Sequence, residues 1–233
     1  MQFILIIFLL ALGASSTHAS EPLGGTEITV FGAYTAFLIS PTKRYQHGAL
    51  GDNIEAAGFA VLENGKTRTF MLPETQVFED LRVRLHDLDG DGLPEAIIIR
   101  SDIAKGGSIA VFSLNGENIT LKAATDFIGQ PNRWLNIVGF GDFAGDGTTM
   151  IAAVITPHLN GSLRIYDLVK GNLLERARIN GFSNHINGTT NLDLAELRDV
   201  NEDGVIDIVL PRLDHSGKAA VSFNGGRPEV LSP

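Results

Sequence analysis

Apolar residues along this chain come in short runs punctuated by Gly, Asn and Asp, and no long amphipathic helix interrupts them. One pattern is a strand, a glycine turn and a second strand. Gly58 to Leu62 precedes Asn64-Gly65, Ser108 to Phe112 precedes Asn115-Gly116, Ser162 to Tyr166 precedes Lys170-Gly171, and Lys218 to Ser222 precedes Asn224-Gly225. The turn glycines Gly65, Gly116, Gly171 and Gly225 follow one another at 51, 55 and 54 residues. Asn-Gly between apolar runs is the strongest local hairpin signal, because both turn positions take φ > 0.

A second pattern lies between these hairpins: a strand, an acidic Gly-rich loop and another strand. Leu81 to Leu85 leads through Asp87 to Glu95 into Ala96 to Ile99. Leu135 to Phe140 leads through Asp142 to Gly147 into Ile151 to Ile155, and Leu192 to Leu197 leads through Asp199 to Asp207 into Ile208 to Leu210. The loops start 55 and 57 residues apart. Each period therefore predicts four short antiparallel strands, the content of one propeller blade. The expected fold is all-β, a propeller of about four blades. Before Gly58, Thr29 to Phe31 and Ala36 to Leu38 read as strands with no acidic loop between them. The N-terminal strand is expected to close the ring by completing the last blade. The alternative is an open ring completed by a partner chain.

Phe3 to Leu12 is a continuous apolar run, followed by small residues and Thr17-His18-Ala19. This reads as a signal peptide over residues 1–19, cleaved after Ala19, with a propeller domain over 20–233. The run is too short for a membrane span, which needs ~20 residues. The protein is expected to be secreted or periplasmic, with no membrane span once the signal is removed, and monomeric if the ring is closed.

Composition narrows the chemistry. Lys and Arg total 18 against 27 Asp and Glu, a net charge of −9, the wrong sign for a nucleic-acid binder. There is no Cys, which removes disulfides, thiolate metal sites and thiol catalysis. The acidic loops are the reverse case, since a calcium ion takes six to eight oxygens at about 2.3–2.6 Å. Asp87, Asp89, Asp91 and Glu95 offer carboxylates and Leu93 its carbonyl. Asp199, Asn201, Asp203 and Asp207 take the same parts, with Val205 giving the carbonyl. The middle loop keeps only Asp142 and Asp146, because Ala144 and Met150 replace two ligands. Asp-Gly clusters also form turns with no metal at all. A helix–loop–helix site is excluded by Ile98 and Leu210 at the twelfth positions and by the β-branched runs that follow.

Asp87-x-Asp89-Gly-Asp91-Gly-x-x-Glu95 and Asp199-x-Asn201-x-Asp203-Gly-x-x-Asp207, each between short strands, resemble the FG-GAP/VCBS repeat family. That family is similar to the repeats of the calcium-bearing propeller of integrin alpha subunits. The resemblance covers roughly Gly58 to Pro233. It implies a propeller with calcium in hairpin loops and an extracellular or periplasmic binding role rather than catalysis, and it says almost nothing about the ligand.

If each blade runs up and down, the remaining loops share the opposite end of the molecule. They gather Arg44, Tyr45, His47, Glu79, Asp102, Arg133, Trp134, His158, Asn184 and His185, with Asp214-His215 nearby. Convergent polar and aromatic groups mark a ligand site. Arg44 and Arg133 are expected to clamp an anion, and Trp134 to stack on a sugar or ring. The bland reading caps turns with the histidines and buries Trp134 in the core. The expected function is a calcium-stabilised scaffold that recognises a protein or carbohydrate through this face. The rival is a hydrolase or lyase pairing a His with Glu79 or Asp102, although no known catalytic motif is present.

Overall fold

The computed structural model describes residues 21–231, so the segment read above as a signal peptide, with its expected cleavage point, lies outside the described residues. Seventeen strands and one 3₁₀ turn make up its secondary structure, with no α-helix among the described residues. The strands are β1 Thr29–Phe31, β2 Tyr34–Thr42, β3 Glu55–Glu63, β4 Lys66–Met71, β5 Gln76–Phe78, β6 Arg84–His86, β7 Glu95–Asp102, β8 Gly106–Ser113 and β9 Thr120–Ala124. They continue with β10 Leu135–Gly141, β11 Met150–Ile155, β12 Ser162–Val169, β13 Asn172–Asn180, β14 Glu196–Arg198, β15 Asp207–Pro211, β16 Lys218–Ser222 and β17 Glu229–Val230.

These form three antiparallel sheets of nine, four and four strands, none closed into a barrel. The nine-stranded sheet is two up-and-down meanders, β1–β4 and β6–β9, joined by β5. That strand pairs with β7 and meets β3 only at Ala56 opposite Phe78. The other sheets are the meanders β10–β13 and β14–β17. Pairing thus repeats four times in chain order, at the spacing of the sequence repeats. Asn64 and Gly65 (φ 48° and 80°) and Lys170 and Gly171 (φ 49° and 77°) make the two-residue turns of β3–β4 and β12–β13. The register slips at Val111/Phe112 in β8 and at Ile165/Tyr166 in β12, so two meanders carry a bulge at the same place.

The expectation for the N-terminal strand is corrected. β1 pairs with β2, in register Thr29 opposite Ala36, and the C-terminal β17 completes the last meander by pairing with β16. The Gly32 turn (φ 56°) explains this, because so short a connection ties β1 to its immediate neighbour.

Successive meanders stack face to face. Ala36, Leu38, Phe59 and Val61 of the first pack against Ala96, Ile98, Ala110 and Phe112 of the second. Ile97, Ile99, Ile109 and Val111, on the other face of the second, meet Leu135, Ile137, Ile151 and Ala153 of the third. Ala152, Val154, Leu163 and Ile165 meet Ile208, Leu210, Val221 and Phe223 of the fourth. The apolar runs in β7, β8 and β11 are continuous for this reason: both faces of those strands are covered. The far face of the fourth meander carries Glu196, Arg198 and Lys218, all exposed. This stack places the acidic loops at one end of the strands and the His-bearing connections at the other.

Candidate functional site

In the loop joining β6 to β7, Asp87 folds the chain around its own carboxylate. Its oxygens accept the Gly90 N–H at 2.8 Å and the Gly92 N–H at 2.9 Å. Asp91 accepts the Leu93 N–H at 2.8 Å, and Glu95 Oε2 accepts the Leu88 N–H at 3.0 Å. Oxygens of Asp87, Asp89 and Glu95 lie within 4.8 Å of one another. Lys122, on β9, already uses this arrangement: its Nζ contacts Asp89 Oδ2 and lies 2.7 Å from Glu95 Oε1.

The loop between β10 and β11 has the same turn without the closing acid. Asp142 accepts the Gly145, Asp146 and Gly147 N–H groups at 2.8, 3.1 and 2.7 Å, while Met150 is packed in the core. Arg176 of β13 bridges Asp146 at 3.1 Å and Asp167 at 2.7 Å. The aspartate turn is therefore a folding element in its own right, and it is not what marks a metal site.

The loop between β14 and β15 differs in its counter-charge. Asp199 accepts the Asp203 and Gly204 N–H groups at 3.2 and 2.9 Å, and Asn201 Oδ1 also accepts the Asp203 N–H. Asp203 accepts the Val205 N–H at 2.9 Å and amide protons from Asn201 and Asn224. Asp207 Oδ2 accepts the Val200 N–H at 2.9 Å, but Asp207 Oδ1 is buried with no partner, and the residue is 0% exposed. Among the described residues no Lys or Arg pairs with these acids. Glu202 holds the left-handed position (φ 61°) that Gly90 and Gly145 occupy in the other two loops.

At the opposite end, Glu79 is buried beneath the connection from β5 to β6. Its Oε1 lies 2.6 Å from His47 Nδ1, its Oε2 accepts the Ser101 hydroxyl, and its backbone carbonyl accepts the Trp134 indole N–H at 2.9 Å. Tyr45 accepts the Asn132 N–H at 3.1 Å. Trp134 stacks on His158 (centroids 5.9 Å apart, planes at 16°) and meets His185 edge-on at 4.8 Å. His185 Nε2 lies 2.9 Å from the Thr189 carbonyl, and His185 Nδ1 lies 2.9 Å from His158 Nε2. A carbonyl only accepts, so the network assigns the proton of His185 to Nε2. His185 Nδ1 then accepts from His158 Nε2, which leaves His158 Nδ1 as an acceptor. With nitrogens 2.9 Å apart and centroids 5.1 Å apart, the two rings lie end to end, the arrangement of a shared proton rather than of two ligands around one metal.

Burial sets the charge states. His158 is pushed down to about 4, first by burial and then by repulsion from His185, His47 and His215. Burial also lowers His185, against the pull of the Thr189 carbonyl. Glu79 is raised by burial despite His47 and Ser101. Glu55 is pushed up to about 9 by burial and then by Glu79, Asp52 and Asp80, so it carries a proton at neutral pH. Burial and Glu79 raise Tyr45 as well.

A cavity of about 240 Å³ opens between His47 and His158, lined also by Asn132, Arg133, Trp134, Thr156, Leu159 and Asn187. Of the expected face, His47, Glu79, Arg133, Trp134, His158 and His185 come together here, with Tyr45 tying Asn132 in place. Others do not. Arg44 gives its guanidinium to the Gln76 carbonyl (Nε at 2.9 Å), so it is no anion clamp. Asp102 accepts the Ala104 N–H at 3.0 Å and caps the β7–β8 turn. Asn184 is buried against Asn136, each side-chain amide donating to the other's backbone carbonyl. Asp214 accepts the Ser216 N–H in its own turn. Trp134 is 2% exposed and its ring is covered by the two histidines, so it serves as a wall and not as a stacking platform for a ligand.

Sequence reasoning missed Glu55, Lys122 and Arg176, and it placed Ser101, Asp80 and Asn224 in their loops and turns without giving them a role. Lys122 and Arg176 did leave a signal, since both are basic residues on the fourth strand of their repeat. Ser101 bonds a carboxylate and not a histidine, so it lacks the base that activates a nucleophilic hydroxyl. No protein-family model matches the chain, and no curated protein matches it either. Among the described residues no helix is long and apolar enough to cross a membrane.

Trp134 is the sole tryptophan, so its emission reports directly on the histidine pair. On acidification from about pH 7 the emission is expected to stay flat until His158 protonates, then to be quenched with a midpoint near pH 4. His158→Gln is expected to lack the transition. Melting is a poorer readout because two slopes oppose. Below its ordinary value of 6.5 and down to about 4, His158 makes stability fall as pH falls, since only the unfolded chain takes up the proton. Between 4.5 and about 9 Glu55 makes stability fall as pH rises, since only the folded chain keeps its proton. A fluorescence midpoint near 6.5 would show a solvated His158 that does not pack on Trp134.

Proposed function

We propose that this chain is a four-bladed β-propeller of the FG-GAP/VCBS type, exported and stabilised by calcium, that acts as a binding scaffold. The four-blade reading is supported by the four successive meanders, each packed against the next. It is also supported by close approaches between first strands. The Glu27 N–H, just before β1, reaches the Leu81 carbonyl ahead of β6 at 2.8 Å, and Leu197 of β14 abuts Gly139 of β10. The aspartate motifs and the N-terminal apolar run support family and export.

One observation carries the calcium reading: the buried, unpartnered Asp207 Oδ1 in a loop of acids that lacks a protein cation. Leaving a buried carboxylate oxygen unpartnered costs about 1–3 kcal/mol, and a hard dication is the partner that three carboxylates and an amide oxygen favour. Asp199, Asn201, Asp203 and Asp207, with the Val205 carbonyl, would have to close on the ion, since among the described residues only Asp87, Asp89 and Glu95 bring three carboxylates within 4.8 Å of one another. Calcium there neutralises the acids and closes the β14–β15 hairpin, a structural role. In the β6–β7 loop, Lys122 competes with the ion for Asp89 and Glu95. In the β10–β11 loop, Arg176 and Met150 leave Asp142 and Asp146 without a complete ligand set.

Calorimetric titration of calcium into chelator-treated protein tests this. The wild type is expected to show one tight site, and Lys122→Met a second of comparable affinity, because removing the ammonium frees the Asp87–Glu95 cluster. Magnesium should bind at least tenfold more weakly to a flexible all-oxygen loop. Absence of calcium heat in both proteins would remove the reading. The opposite end, around His47, Arg133 and His158, is the recognition face of the scaffold.

A further inference from the structure

Carboxylates outnumber cations in this chain, and most of its arginines are neutralised by one. Arg68, Arg82, Arg84, Arg164, Arg176 and Arg178 each hold an acidic side chain within salt-bridge reach. Arg133 does not. Among the described residues its guanidinium makes one protein hydrogen bond, from Nη1 to the neighbouring Asn132 carbonyl at 3.0 Å, and Arg133 lines the cavity between His47 and His158. Glu79, buried near that wall, is held by His47 and Ser101, and no salt bridge joins it to Arg133.

We propose that this cavity binds a small hydroxylated carboxylate, with Arg133 receiving the carboxylate and His158 accepting a hydroxyl proton from the same molecule. The proposal rests on the recognition-face reading above and gives it a ligand class. Three observations select the class. A guanidinium fork matches a carboxylate with two parallel N–H···O bonds. One uncompensated positive charge balances a monoanion, whereas a phosphate dianion would need a second Lys or Arg, which the lining does not supply. The hydrogen-bond chain from the Thr189 carbonyl through His185 to His158 leaves His158 with an acceptor nitrogen, which a bare carboxylate cannot use and a hydroxyl can. Asn132, Thr156 and Asn187 supply further neutral donors and acceptors on the lining. A volume of about 240 Å³ limits the occupant to a small molecule or one terminal residue of a larger one.

Trp134 emission provides the assay, with lactate, glucuronate, acetate, methyl glucoside and inorganic phosphate as probes. Lactate or glucuronate is expected to change the emission saturably, at least tenfold more tightly than acetate, which lacks the hydroxyl. Arg133→Gln should weaken that binding by tenfold or more with its melting temperature unchanged, and Arg133→Lys should fall between. His158→Gln should erase the preference for the hydroxylated probes. Phosphate binding more tightly than any carboxylate, or equal binding by Arg133→Gln, would overturn the proposal. Saturable binding of methyl glucoside alone would also overturn it while leaving the recognition face standing. A silent Trp134 with every probe would remove both.

Discussion

Replacing Asp207 by Asn is expected to raise the melting temperature of the metal-free protein and to abolish the rise that calcium gives the wild type. The reason is the asymmetry of the Asp207 carboxylate, whose Oδ2 is satisfied by the Val200 N–H while its Oδ1 is buried and alone. Asparagine keeps an oxygen for Val200 and removes the buried uncompensated charge, and although its amide nitrogen takes the unpartnered place of Oδ1, a neutral group there costs less than a charged one. The wild type recovers more than this difference on binding, because an ion that binds only the folded state adds about 2.7 kcal/mol at a hundred times its dissociation constant. For a chain of this size that is a shift of roughly 5–10 °C. The two proteins should therefore change order: the variant melts higher in chelator and lower in saturating calcium. A buried water satisfying Oδ1 would predict the opposite, with Asp207→Asn neutral or destabilising in chelator and calcium without effect on either protein. Scanning calorimetry of both proteins in the two buffers separates the cases.

Much of the architecture was legible because it rests on local chemistry repeated at a fixed period. The glycine turns after β3, β8, β12 and β16, and the apolar runs flanking Asp87, Asp142 and Asp199, needed only neighbouring residues to be read. The strands Thr29 to Phe31 and Ala36 to Leu38 were legible too, whereas the strand that completes the last meander, β17, is only two residues long and carries no apolar run that would mark it. At the His-bearing end, the topology brought His47 to Glu79 and His158 to His185 as the loop positions implied. Arg44, Asp102 and Asn184 lie at equally suitable chain positions, but a nearby carbonyl, a turn N–H and a buried amide took their polar atoms first. Such local competition is invisible in a string of letters. Lys122 and Arg176 stand out as basic residues on the fourth strand of their repeat, but their partners Asp89 and Asp146 lie in loops that they reach only once the register of that strand is fixed. The result is a sharper view of the acidic loops, in which three similar motifs differ by the cation the protein itself supplies.

Gly161→Ala is expected to be the most damaging single-methyl change in the molecule and to disconnect the two histidines. Gly161 ends the loop that carries His158, in a left-handed conformation (φ +55°). Its carbonyl accepts the Gly181 and Phe182 N–H groups at 2.9 and 3.0 Å, which seats the connection leading to His185. A Cβ at this position would lie 1.9 Å from the Phe182 carbonyl oxygen and 2.8 Å from Leu213 Cδ1. Backbone cannot be moved aside as a flexible side-chain tip can. The left-handed alanine costs about 1–2 kcal/mol, the two hydrogen bonds about 1 kcal/mol each, and displacement of the buried Phe182 adds to both. A loss on the order of 3–5 kcal/mol follows, or roughly 6–20 °C in melting temperature. Because the Phe182–His185 segment moves with the carbonyl, the acid quenching of Trp134 should also disappear in whatever fraction remains folded. Gly217→Ala is the control: no atom lies within 4 Å of its added methyl, its φ is not left-handed, and its melting temperature should stay within a degree or two of wild type. Equal melting of the two variants would mean that the close approach at Gly161 does not hold the His158 loop against the His185 connection.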